Sequence, residues 1–122
     1  MNSGPAARET FSRGDRLRKR REFEACYASG VRLSGRLLQV FVRSSSDSSR
    51  IGISVPRRAG GAAVRNRLRR RVREIFRRNR DLFGEMRADL VVHVRPPAAE
   101  ASFEELLREY RETVRRAIAR LK

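Results

Sequence analysis

The chain has 122 residues, and 30 Lys and Arg against 14 Asp and Glu leave it a net charge of +16. That excludes an ordinary neutral enzyme as the default, and the length leads us to expect one domain, because about 100 to 150 residues close around one core. A hydrophobic share of 39% suffices for that core, but self-repulsion at +16 opposes compaction unless a polyanion covers the surface, so nucleic acid is the expected partner class.

Residues 1–14 mix Gly, Pro, Ala, Ser and Arg with little apolar periodicity and read as a flexible arm ahead of a single RNA-binding domain over 15–122. From Arg20 to Ser29, Phe23, Cys26 and Tyr27 recur at helical spacing, and Gly30 supplies the stop. Val31 to Arg43 is extended, with Leu38, Val40 and Val42 on one face and Gln39, Phe41 and Arg43 on the other. A Ser-rich loop over 44–49 leads to a strand, Arg50 to Val55, and the two extended segments are expected to pair antiparallel. In the second strand Ile51, Ile53 and Val55 share a face, opposite Gly52 and Ser54.

Pro56 ends that strand, and Gly60 and Gly61 introduce a long helix, Ala62 to Arg80. Val64, Leu68, Val72, Ile75 and Phe76 form its apolar stripe. Nine of the sixteen residues from Arg65 to Arg80 are Arg, and Asn66, Arg70, Arg73 and Arg77, flanked by Arg69, fall opposite the stripe as a cationic ridge. Like charges at this spacing repel one another, so a phosphate backbone explains the ridge better than a solvated helix face does. A third strand, Asp89 to Arg95, sets Leu90, Val92 and Val94 against Val91, His93 and Arg95, and Pro96 and Pro97 stop it. Ser102 and Glu105 make a capping box for a last helix carrying Leu106, Tyr110, Val114 and Ile118. On its other side Glu104, Glu105, Glu109 and Glu112 are expected to pair with Arg108, Arg111, Arg115 and Arg116.

The catalytic inventory is poor. Cys26 reads as a small buried hydrophobe; His93 could sit beside a nucleic acid on its strand face, but a lone His more often is a bystander, and one Cys with one His cannot build a four-ligand zinc site. With no apolar run near the ~20 residues of a membrane span and no secretory pattern, the cytoplasm is the expected location. Phe23 and Tyr27, one turn apart, and Phe41 on its strand fit a groove for unstacked bases if the first helix crosses the sheet. The buried stripe of a short helix explains Phe23 and Tyr27 equally well.

The stretch from Gly52 to Arg78, with Arg65-Asn66-Arg67 followed by Arg69, Arg70 and Arg73, closely resembles the signature of the bacterial ribonuclease P protein component, whose RNR motif it matches. The resemblance extends upstream over Leu17 to Phe41 and downstream over Asp89 to Pro97. It implies an α+β fold: a small α/β sandwich, one mixed sheet packed with helices in αβββαβα order. An unusual left-handed βαβ crossover goes with it, as in the ribosomal protein S5 domain 2-like fold. It also implies a protein subunit that assists a catalytic RNA in removing the 5′ leader from precursor tRNA. The chemistry would then lie with the RNA and its Mg²⁺, none of it bound by the protein alone, and no obligate protein partner is indicated.

By the same resemblance Arg65, Asn66, Arg67, Arg69, Arg70 and Arg73 contact the RNA subunit. Phe23, Tyr27 and Phe41, with Ser54 and Arg95 as weaker candidates, line the cleft for the leader. Where the family usually has Asn before the RNR helix, this chain has Gly61. The competing reading of charge and pattern is a ribosomal-type or non-specific RNA- or DNA-binding protein. A stand-alone metal nuclease is remote, since no carboxylate cluster is evident.

Overall fold

A computed structural model describes residues 13–45 and 48–122. The expected arm falls outside the described residues except for Arg13 and Gly14, which form a 3-10 turn with Asp15. The Asp15 carboxylate accepts a hydrogen bond from Arg80 at 2.8 Å, which ties this turn to the far end of the Arg-rich helix.

The regular elements are helix α1 (Arg20–Ser29), strands β1 (Val31–Ser34), β2 (Leu38–Ser44) and β3 (Arg50–Ser54), helix α2 (Ala62–Arg78), strand β4 (Ala88–Val94) and helix α3 (Phe103–Leu121). They follow the expected αβββαβα order and build one four-stranded mixed sheet in the order β1-β2-β4-β3. Two details differ from the extended segments as read along the sequence. The extended run after α1 is broken into a hairpin at Gly35-Arg36-Leu37, whose register pairs Ser34 with Gln39. The expected antiparallel pairing of β2 with β3 does not occur. Instead β4 lies between them, antiparallel to β2 and parallel to β3. The cause is burial: six of the seven β4 residues are buried, so this near-continuous apolar strand must take a central place with both faces covered.

The alternation read from the sequence sorts the two faces. Leu38, Val40, Val42, Ile51, Leu90, Val92 and Val94 meet Leu68, Val72, Ile75 and Phe76 of α2 and Leu106, Tyr110, Val114 and Ile118 of α3 in the main core. On the opposite face α1 covers a small second core of Leu17, Cys26, Phe41 and Val91, with Phe23 packed against it. The β3 edge is covered by the segment preceding α1, where Leu17 N donates to Ile51 O at 3.0 Å.

Helix α2 is shorter than expected, because Asn79 closes it at Arg78: its side-chain amide donates to Ile75 O at 2.7 Å, and a separate 3-10 turn follows at Arg80–Phe83. The capping box of α3 forms as expected, with Glu105 N donating to Ser102 Oγ at 3.0 Å. The expected charge ladder along α3 mostly does not. Glu109 instead accepts from Leu37 N and Leu38 N at 2.7 Å each and so satisfies the hairpin turn, while Arg111 reaches Asn79 and Asp81. Tertiary donors within reach outcompete exposed i,i+4 pairs, which contribute only a few tenths of a kcal/mol. Of the expected partners Glu112 and Arg115 do meet, three residues apart.

Candidate nucleic-acid interface

Two surfaces carry the candidate residues. The first is the outer side of α2. Its approach bends at Gly60, whose φ of 151° suits glycine, and a Cβ there would come within 2.8 Å of Val64. Gly61 caps the helix with no side chain, and nothing lies within 4 Å of where a Cβ would be.

The six candidates on this helix do different work. Asn66 and Arg70 are exposed, and Arg69 donates to Asn66 Oδ1 at 3.0 Å. Arg65 donates to Gly60 O and Arg67 to Ala99 O at 2.9 Å, so each spends part of its guanidinium on holding the neighbouring turns. Arg71 does the same at Ala101 O. Arg73 is half-buried and lines a groove of about 240 Å³ with Arg16, Arg18, Phe23 and Gly52. Burial, then the nearby Arg16 and Arg69 guanidiniums, push its pKa down. The ridge therefore continues across to the segment before α1, a neighbourhood that sequence periodicity within one helix cannot show. At the other end of the ridge Arg77 and Arg78 bind Glu74, which lowers that carboxyl's pKa.

The second surface is the sheet face under α1. An ion network fastens the helix there. Asp89, fully buried, accepts from Arg43 at 3.2 Å and from Arg50 at 3.1 Å, and Arg50 bonds Glu22 of α1 at 2.8 Å. Glu22 also accepts from the Lys19 and Arg18 amides, and these bonds, followed by Arg50, hold its pKa down at about 2. Phe23 seats against the sheet because position 52 is glycine; a Cβ at Gly52 would lie 2.5 Å from the Phe23 ring. Cys26 is completely buried, and its thiol pKa is raised by that burial, in keeping with a packing role.

Beyond this anchored half, three rings meet. Tyr27, 42% exposed, stands edge-on to Phe41 at 4.9 Å between centroids and to His93 at 5.4 Å, with Phe41 and His93 5.2 Å apart. Phe41 is only 8% exposed and forms the floor. The Tyr27 hydroxyl lies 2.8 Å from His93 Nε2. His93 also lines a groove of about 480 Å³ together with Arg36, Gln39, Ser54, Arg58 and Arg95. The leader candidates are thus divided: Tyr27 and Phe41 meet at the rings, Ser54 and Arg95 lie in the adjoining groove, and Phe23 faces the smaller groove beside Arg73. His93, expected to be a bystander, is the residue that joins rings and groove. The signal for it was its position on the same strand face as Arg95, and only the β2-β4 pairing sets it opposite Gln39.

Among the described residues no group of three or more His, Cys, Asp or Glu comes together, and no helix is long and apolar enough to cross a membrane. What the surfaces offer is cationic, aromatic and hydrogen-bonding: the means to bind a nucleic-acid backbone and unstacked bases.

Known proteins share the sequence pattern and the fold. The family model for Ribonuclease P matches residues 11–118. The ribonuclease P protein component of Desulfotalea psychrophila is 42% identical over 91 residues, covering 74% of this chain and 75% of the relative. Among solved structures, the RNase P protein of Staphylococcus aureus superposes with a TM-score of 0.76 at 26% identity, covering 84% of this chain and 94% of that one. The RNase P protein from Thermotoga maritima does so with a TM-score of 0.74 at 35% identity, covering 83% and 96%. A glycine-led Arg helix on one side of the sheet, an aromatic face on the other and a family match over nearly the whole length lead to one conclusion: the chain belongs to the ribonuclease P protein family.

Proposed function

We propose that this chain, by family the protein subunit of ribonuclease P in tRNA 5′ processing, binds the enzyme's RNA through α2 and the 5′ leader of precursor tRNA through the face under α1. The observation that carries the leader assignment is the Tyr27-Phe41-His93 ring cluster, which adjoins a groove bordered by Arg36, Arg58 and Arg95. Exposed rings stack on unpaired bases of any sequence, and guanidiniums beside them take the phosphates between the bases. A mature tRNA lacks the leader, so this surface distinguishes substrate from product. The ridge of Asn66, Arg69, Arg70 and Arg73 faces the other way from the main core and suits the backbone of a folded RNA.

Hydrolysis belongs in this reading to the RNA with its Mg²⁺. The donor set supports that division: Asp89, the fully buried carboxylate on the sheet face under α1, is taken up by two guanidiniums rather than left for a cation. The expected setting is the cytoplasm.

Tyr27→Ala is the sharper test of the cleft, because Phe41 also belongs to the second core. In the reconstituted holoenzyme it should weaken precursor binding by about 1–3 kcal/mol for each base that no longer stacks, while leaving mature tRNA binding nearly unchanged. Equal losses for the two ligands would remove the leader from this surface.

A further inference from the structure

We infer that His93 is itself a leader-binding residue and holds the RNA as an imidazolium, so that filling the cleft takes up a proton from solvent. This rests on the leader assignment above and adds to it a named ligand and a coupled charge.

The sheet register puts His93 in the middle of a polar row. Gln39 is its partner on β2 and Ser54 its partner on β3, and all three side chains line the larger groove. The Gln39 amide donates to Ser34 Oγ at 2.9 Å, which turns its carbonyl oxygen away from that bond. The charged and titratable groups that face His93 come from every side: Tyr27 from α1, Arg36 from the β1-β2 turn, Arg58 from the 3-10 turn after β3 and Arg95 from the end of β4. No carboxylate among the described residues lines the groove or belongs to the ring cluster. Asp89, four residues away on the same face of β4, is occupied by Arg43 and Arg50.

Without RNA, an imidazolium in this groove would therefore be half-buried among cations with no carboxylate of the described residues beside it, and burial lowers the His93 pKa below the usual 6.5. A leader phosphate brought in by the arginines reverses that balance, since it supplies the missing negative charge. A ligand that prefers one protonation state shifts the proton equilibrium, and the proton shifts ligand affinity by the same factor. The Tyr27 hydroxyl accommodates both states. Beside a neutral ring it can donate to Nε2; beside the imidazolium Nε2–H donates to the phenol oxygen, and the phenol O–H rotates toward the cleft with its proton still bound.

His93 is the chain's single histidine, so its ring proton resonances in an NMR titration of the full-length protein report its pKa without ambiguity. The pKa should lie below 6.5 in the free protein and rise when a single-stranded oligonucleotide of the leader sequence is added. In the holoenzyme, the ratio of mature to precursor dissociation constants should grow about three- to tenfold as pH falls from about 8 to about 6, the range open to one coupled proton. His93→Gln keeps a hydrogen-bonding side chain without a titrating charge, and should lose the low-pH gain in leader preference, leaving a ratio above one that does not change with pH. A His93 pKa unmoved by the oligonucleotide, or a pH slope retained in His93→Gln, overturns the proposal and leaves the leader reading standing. A ratio of one at every pH overturns both.

Discussion

The two faces of the sheet are built by different rules. On the α2/α3 face, aliphatic side chains from three strands meet two amphipathic helices and are buried between them. On the α1 face the apolar contribution is four residues and one packed ring, and the helix is held by Asp89, Arg43, Arg50 and Glu22. The first face holds most of the buried apolar core, and the second adds a small core and a buried ion network. The second can therefore leave Tyr27, His93 and a row of arginines open to solvent. Putting both proposed RNA-binding surfaces on the outside of a single well-packed core lets this small chain carry a charge that would otherwise work against folding.

Substitutions on the two faces should separate stability from binding. The largest effect is expected at Phe76, fully buried between α2 and the sheet: Phe76→Ala should lower unfolding free energy by about 3–5 kcal/mol in denaturant titrations. Next comes the clamp. Asp89→Ala leaves Arg43 and Arg50 without their buried partner and should cost about 3 kcal/mol or more, with amide exchange in α1 accelerated beyond that of α2. Uniform acceleration across both helices would mean that the faces are not energetically distinct.

On the ridge, Arg70→Ala and Arg73→Ala should leave unfolding nearly unchanged while weakening binding to the RNA subunit. Each should reduce the slope of log affinity against log salt by about one for every phosphate it ceases to neutralise. An unchanged slope would place these guanidiniums away from phosphate. The smallest effect concerns acid. Glu22 has its folded pKa lowered to about 2 from the ordinary carboxylate value of 4.5, so its contribution is complete above about pH 4.5 and is lost as pH falls toward 2. Glu22→Gln should flatten that part of the stability profile, and an identical acid profile would mean that the α1 clamp does not depend on this carboxylate.

Much of this arrangement was legible in the sequence, because it depends on periodicities. The alternation of Leu38, Val40 and Val42 with Gln39, Phe41 and Arg43 divides the two faces correctly, and the apolar stripe of α2 identifies its buried side. Strand order was not legible, since it depends on pairings between segments distant in sequence. Placing β3 beside β2 hides the Gln39-His93-Ser54 row, which exists only because β4 inserts between them. Side-chain partners were also hidden: Glu109 looks like a surface carboxylate until the β1-β2 turn presents two amides to it. The RNR signature pointed to α2 as the candidate RNA-binding helix, but could not show that Arg65 and Arg67 also brace adjacent turns or that Arg16 approaches Arg73.

The central claim, that this subunit promotes processing by holding the leader, is tested most directly by cleavage of precursor tRNA by the cognate RNA at low Mg²⁺, with and without the chain, on substrates of decreasing leader length. The chain should stimulate cleavage of the long-leader substrate, and the stimulation should shrink as the leader is shortened to a single nucleotide. No stimulation, or stimulation independent of leader length, would contradict it.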